Sequence, residues 1–291
     1  MGRYTLHDLE KLTGIMAATI RIWERRYNIL RPHRTMTNRK WYDDADLSRI
    51  INISIIYRSG IKISKIAELS NSEIELKVSI LSKNTLISDT QIDSLVVAMI
   101  NLNENAVNEI LLRSITNMGF EETFTSVIFP FLKRVGIMWH TGNVSAGSEH
   151  FISNVLRRRL ITAFDAIPPA TSLDRKRVIM YLPENELHEL GLLFYAYIIR
   201  RMGHEVLYLG QYTPFEAVVD VNKTWNSDFI VTGASSDLSF TDPGTYLDNL
   251  SKTFKKQKIL VSGSMAFRAE EKNYSNIFAV NSVEDLKIHF S

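Results

Sequence analysis

Apolar residues recur at spacings of three and four through most of the first 168 positions, then give way after about residue 175 to short continuous apolar runs. The first regime predicts helices and the second predicts buried strands alternating with helices. In LHDLEKL, Leu6, Leu9 and Leu12 share one helical face, and Thr5-x-x-Asp8 has the layout of a capping box with Asp in the acidic position. Thr13-Gly14 breaks that helix. A second amphipathic segment follows, ATIRIWERRYNIL, in which Ile20, Trp23 and Tyr27, with Ile15 just before it, can face a core while Thr19, Arg21, Arg25 and Arg26 can point outward. The polar, basic stretch RPHRTMTNRKWY then reads as a hairpin, and a further helix is expected at about 44–58 with a turn at Gly60.

From 72 to 168 the helical spacing is nearly unbroken, and four amphipathic segments joined by short loops predict a bundle. Pro168-Pro169 and the polar ATSLDRK read as a linker. Beyond it, RVIMYLP, HEVLYLG, DFIVTGA, KILVSG and IFAV are the expected strands, with helices around 186–202, 214–225, 244–256, 265–272 and 283–289. Strictly alternating strands and helices predict a doubly wound parallel sheet. The expected organisation is multidomain: a winged helix-turn-helix (α) over 1–75, a four-helix bundle (α) over 80–168, and an α/β doubly wound, flavodoxin-like or Rossmann-like domain over 175–291.

Charge changes this picture at one end only. The 291 residues carry a net +2, yet residues 1–42 hold nine Lys/Arg against three acids, a net +6 that leaves −4 for the rest. A basic terminus on a mildly acidic chain suggests an anionic partner for that terminus, most commonly nucleic acid, with a merely solvated basic face as the alternative that charge alone leaves open. With no cysteine, disulfides, thiolate catalysis and cysteine-ligated metals are excluded, and the seven histidines remain as soft ligands. There is no run of eighteen apolar residues and no apolar core behind MGRYTLHDLEK, so the expectation is a cytoplasmic protein without a membrane span.

The stretch TIRIWERRYNILRPHRT…NRKWYDDADL resembles the MerR family of winged helix-turn-helix transcription regulators, with Arg21, Trp23, Glu24, Pro32, Arg34, Arg39 and Tyr42 at the matching motif positions. Met16-Ala17 stands where that family begins its recognition helix with a Ser-type cap. The resemblance implies double-stranded operator DNA as partner. Arg21, Arg25, Arg34 and Arg39, with Arg26 beside them, are the expected phosphate contacts, Thr19 and Tyr42 are candidate groove contacts, and Trp23 reads more simply as part of a small core.

The turn ENELHELG follows the first expected strand of the sheet domain. Ligands of such sheets bind beyond the carboxyl ends of the strands, where His188, Ser236 and Gly263 all fall. Glu186-x-His188-x-x-Gly191, then Ser236-x-Leu238, then Gly263-Ser264 resemble the cobalamin-binding motif Asp-x-His-x-x-Gly, Ser-x-Leu, Gly-Gly. The resemblance implies His188 as the lower axial cobalt ligand and a slot for the displaced nucleotide tail, with Ser264 departing from the second Gly. An acid two residues before the histidine can accept its other N–H, which fixes the tautomer and raises basicity. Alone, a single Glu-x-His-x-x-Gly describes many ordinary loop histidines.

Within the bundle, MWHTGNVSAGSEHF places Trp139 and His140 before a Gly-containing turn and Glu149-His150 after it. Alone these read as helix ends with His and Glu near caps. Trp139, nine residues, then Glu149-His150 resembles the signature of light-sensing, adenosylcobalamin-dependent MerR repressors of the CarH/LitR type. That resemblance implies a bundle capping the upper face of adenosylcobalamin: Trp139 beside the adenosyl group, Glu149 and His150 holding it, and His140 moving to the upper cobalt position after light. It also implies a homo-oligomer, tetrameric in the dark. The alternatives are a regulator sensing cobalamin without light or acting without the cofactor, and a corrinoid carrier or enzyme subunit. The basic winged helix opposes the last of these, and no catalytic base or substrate barrel is apparent, so an enzyme is not expected.

Overall fold

The computed structural model describes residues 2–84, 88–140, 144–235 and 243–291, without the side chains of 82–84, 140 and 243. It forms two compact units, Met1–Val155 and Leu156–Ser291.

The first unit opens as the capping signals predict. Thr5 and Asp8 close a reciprocal capping box on α1 (Leu6–Thr13), which Gly14 ends at φ 70°. Helix α2 (Ala17–Tyr27) starts at Met16, which supplies no side-chain cap. Glu10 of α1 fills the role instead, its Oε1 accepting from the Ala17 N–H at 3.2 Å. Strands β1 (His33–Arg34) and β2 (Lys40–Trp41) pair antiparallel as the expected hairpin. A second capping box, Asp43 with Asp46, starts α3 (Asp44–Arg58). This helix is apolar on nearly every side, with Leu47, Ile50, Ile51, Ile53 and Ile56 fully buried, as expected for a helix packed on several faces.

Helices α4 (Ile63–Ala67) and α5 (Asn71–Asn84) follow. The expected bundle comprises α6 (Ser88–Ile100), α7 (Glu104–Met118), a third rod and α10 (Ala146–Asp165). The third rod runs from α8 (Phe120–Thr123) through a π-helical turn, Phe124–Ile128, into α9 (Phe129–His140). The threonine hydroxyls beside the wide turn donate to carbonyls one turn back, Thr123 to Gly119 and Thr125 to Glu121. Periodicity does not reveal this turn, because one extra residue leaves the apolar stripe continuous.

The second unit is the predicted parallel sheet. Its elements are β3 (Arg177–Pro183), α11 (Leu190–Arg201), β4 (Glu205–Thr213), α12 (Phe215–Trp225), β5 (Phe229–Ala234), α13 (Pro243–Thr253), β6 (Lys258–Gly263), α14 (Ser264–Lys272), β7 (Ile277–Val280) and α15 (Val283–Ile288). The order is β4-β3-β5-β6-β7, with every pairing parallel. The chain reverses its winding between β3 and β5, which makes their carboxyl ends the crevice of this fold. Two boundaries differ from expectation. The helix expected from 186 begins at Leu190, because Asn185 takes φ 68° and the following residues stay in a loop. The C-terminal part of α10 groups with the sheet rather than the bundle, held by an Arg157–Glu189 ion pair and by the Arg200 guanidinium 4.5 Å from the Phe164 ring. Among the described residues no helix is long and apolar enough to cross a membrane.

Candidate functional site

Helix α2 and the hairpin carry the basic surface. Arg21, Arg25, Arg26, Arg34 and Arg39 are all exposed, and Thr19 is half-buried between them. Trp23 is buried and meets Tyr57 edge to face at 4.8 Å, so it belongs to the core of this module. Tyr42 corrects an expectation. It is 1% exposed, its backbone pairs with Tyr4, and its hydroxyl donates to Glu24 Oε2 at 2.6 Å. Burial, then the Glu24 carboxylate, push its pKa up, so the phenol stays protonated as a donor. Its side chain therefore ties the hairpin to α2 rather than standing on the exposed surface. Lys40 also pairs with Glu24, while Arg34 Nη1 donates to Asn38 Oδ1 at 2.6 Å across the hairpin turn.

Behind this module lies a charge cluster that periodicity does not reveal. Asp93 of α6, a carboxylate with a side chain only 4% exposed, receives Arg58 from the end of α3 and Arg134 Nη1 of α9 at 2.6 Å. Arg134 also donates to the Leu12 carbonyl in the last turn of α1. One buried carboxylate thus joins two helices of the basic N-terminal module to two of the bundle. Of the bundle candidates, Trp139 is about half exposed and His140 ends α9, its side chain outside the described residues. Glu149 and His150 stand together in the first turn of α10, Oε2 to Nδ1 2.9 Å, and Glu149 Oε1 accepts from Ser153 at 2.6 Å.

The sheet domain builds its site around Glu186. This residue is 1% exposed, yet its carboxylate accepts from the His188 N–H at 2.8 Å and from the Ser235 N–H at 2.7 Å. The Ser235 hydroxyl adds a bond to Oε2 at 3.0 Å, and His188 Nδ1 lies 2.6 Å from Oε1. Burial works to raise the Glu186 pKa, but the His188 ring and N–H and the two Ser235 donors outweigh it and hold it at about 2. The carboxylate is therefore charged, Nδ1 carries its proton toward it, and the ring itself is 75% exposed with Nε2 as its other nitrogen. Glu189, the residue after His188, is buried and held by the Tyr208 hydroxyl at 2.8 Å and by Arg157. Ser236 and Leu238 lie outside the described residues; Ser235, which the motif does not include, is the serine that meets Glu186 and His188.

The glycines divide by cause. A Cβ on Gly263, at φ 67°, would stand 2.0 Å from the Ala234 carbonyl, so the close approach of β6 to β5 demands glycine there. Ser264 opens α14 and its hydroxyl donates to the same carbonyl at 3.4 Å. A Cβ on Gly191, by contrast, would meet no atom within 4 Å. An exposed imidazole whose other nitrogen is held by a buried carboxylate fits a ligand with an imidazole-accepting metal, cobalt among them.

A basic helix-turn-helix with a hairpin wing, on the same chain as a sheet domain with a carboxylate-held imidazole at its crevice, defines a DNA-binding protein with a ligand domain. Comparison with known proteins specifies both halves. Residues 4–73 match the MerR HTH family of regulatory proteins, and residues 91–162 match the B12 binding domain family. The HTH-type transcriptional repressor CarH of Myxococcus xanthus is 27% identical over 274 residues, covering 92% of this chain and 91% of the relative. CarA, a second repressor from that organism, is 26% identical over 216 residues, 73% of this chain and 70% of the relative. The monomethylamine corrinoid protein of Methanosarcina barkeri shares the fold, with a TM-score of 0.51 at 17% identity over 66% of this chain and 93% of that one. The chain thus joins a region matching MerR-type helix-turn-helix regulators to a region matching the B12 binding domain, and over most of its length it is similar to transcriptional repressors.

Proposed function

We propose that this protein is a cytoplasmic repressor whose hold on operator DNA is set by adenosylcobalamin and light. The observation that carries the cofactor half is the exposed His188 ring, held through Nδ1 by buried Glu186 at the reversal point of the sheet. His188 would ligate cobalt through Nε2, and Glu186 would keep the imidazole in that tautomer. Gly191 would leave room for the ligand, and Gly263 and Ser264, with Ser236 and Leu238, would line the slot for the nucleotide tail. When bound, adenosylcobalamin supplies a cobalt–carbon bond that light breaks. Trp139 would pack beside the adenosyl group, Glu149 and His150 would hold it, and His140 would be a second histidine available to the cobalt.

The DNA half rests on Arg21, Arg25, Arg26, Arg34 and Arg39, with Thr19 facing the groove. Several such modules in a dark oligomer, a tetramer on the family pattern, gain affinity through effective concentration and lose it on dissociation. A ligand can drive that change only by binding the two arrangements unequally.

The test is to add adenosylcobalamin in the dark and record absorbance and size-exclusion mass before and after green light. The expected result is a retained corrinoid, a spectral change on illumination and a fall in mass, all absent in His188→Ala. Retention without a change in mass would replace light control with cobalamin sensing, and absence of any retained corrinoid would refute the cofactor assignment.

A further inference from the structure

The carboxyl end of β4 departs from ordinary strand geometry beside the His188 loop. Its register against β3 slips after Met180↔Tyr208 and again after Tyr181↔Gly210, before Pro183↔Thr213 restores pairing. Within this irregular stretch Gly210 takes φ 88° and Tyr212 takes φ 55°. Seven described residues other than glycine have positive φ, and five are Asn, whose short polar side chain tolerates that region: Asn28, Asn38, Asn185, Asn226 and Asn273. Tyr212 is the one aromatic among them. A bulky residue in this conformation is an outlier, and such strain persists where the surroundings impose it, commonly at ligand sites.

The surroundings do impose it. Thr213 is buried, its hydroxyl donating to the Gly210 carbonyl at 3.3 Å, and Pro214 fixes the entry to α12. Burial of the aromatic ring does not offset the strain, since Tyr212 remains 55% exposed. Its position is specific: the Tyr212 N–H donates to the Glu186 carbonyl at 3.4 Å, so the strained residue is stitched to the residue that holds His188. On the same loop Leu187 is 59% exposed. Two large exposed apolar side chains therefore stand on the His188 loop and on the strand end hydrogen-bonded to it.

Resting on the reading of His188 as the cobalt ligand, we propose that Tyr212, with Leu187, forms the apolar seat for the lower side of the corrin macrocycle. A wide, largely apolar ring system needs more than one axial nitrogen to hold its orientation. An aromatic side chain offers the area for that at a low cost in side-chain entropy. Asn would relieve the backbone here, and a Tyr at this position is accounted for by a gain made only when the ligand is bound.

The experiment uses the full chain and its Tyr212→Asn, Tyr212→Ala and His188→Ala variants. Each is titrated with hydroxocobalamin and with adenosylcobalamin in the dark, and the melting temperature of each ligand-free protein is recorded. The expected result is that Tyr212→Asn melts a few degrees higher than the parent while its cobalamin Kd rises about tenfold or more. A Kd within about twofold of the parent overturns the seat, and so does a melting temperature that falls in both Tyr212 variants, which marks the ring as ordinary packing. If His188→Ala weakens binding and Tyr212→Asn does not, the seat alone fails. If neither does, or the parent binds no cobalamin, the ligand assignment fails and the seat with it.

Discussion

Arg134 Nη1 donates to Asp93 Oδ1 at 2.6 Å, and that bond is the centre of a contact between helices of different tasks. Asp93 belongs to the bundle, Arg58 closes the longest helix of the DNA-binding module, and Arg134 also caps the Leu12 carbonyl at the end of α1. Removing the carboxylate leaves two arginines facing each other without a counter-charge. Asp93→Ala should therefore destabilise the first unit by about 3 kcal/mol, at the low end for a buried pair because Arg58 remains 43% exposed. Urea denaturation followed by helical ellipticity reads this directly, and a loss below about 0.5 kcal/mol would show the cluster to be solvated.

Two glycines of the sheet domain should respond oppositely to alanine. At Gly263 the new methyl would collide with the Ala234 backbone at a positive φ, so Gly263→Ala should cost at least about 2 kcal/mol. At Gly191, a helical position with open space, alanine should be neutral or stabilise by up to about 1 kcal/mol. The same methyl would fill space assigned to the ligand and so weaken cobalamin binding. Melting curves of the ligand-free variants, paired with cobalamin titrations, separate the two effects.

On the DNA side the exposed arginines and Tyr42 should differ in kind. Arg21→Ala or Arg39→Ala should reduce the salt dependence of duplex binding by about one phosphate contact each, with affinity falling on every sequence. Tyr42→Phe removes only the bond to Glu24 and should leave the salt slope unchanged while lowering stability by about 1 kcal/mol. Fluorescence anisotropy across a series of salt concentrations checks both, and a reduced slope in Tyr42→Phe would return that residue to the interface.

Glu10 gives the recognition helix a cap that responds to acid. The Ala17 N–H first, and His7 second, hold its carboxyl below the usual carboxylate range. A depressed folded pKa means that the stabilisation is fully present above the ordinary glutamate value and is lost as pH falls through the lower folded value. Carboxyl NMR should show the depressed titration, with the first turn of α2 fraying in step. Glu10→Gln, which keeps an acceptor oxygen, should hold the turn without that pH response; identical acid profiles for the two proteins would refute the cap.

Short-range order made much of this molecule legible. The capping box at Thr5, the three-and-four spacing of the bundle, and the apolar runs KILVSG and IFAV mark elements whose bounds depend on neighbours a few positions away. Glu186 and His188 were equally visible, being two residues apart on a strand-ending turn. Folding together distant segments is another matter. Asp93 meets Arg58, 35 residues away, and Arg134, 41 away, while Arg134 reaches Leu12 across 122 positions, and no local period records such meetings.

The sequence by itself determined the order of the modules, the parallel sheet and the histidine turn, because helix and strand periods and turn chemistry are properties of adjacent residues. Tertiary structure alone decided that Glu24 draws Tyr42 into the core, that Ser235 completes the Glu186 cluster, and that Tyr212 is held strained and exposed beside it. The physical reason is that hydrogen-bond satisfaction of a buried carboxylate, and the conformation forced on a strand end, depend on which segments the packed core brings within 3 Å of one another.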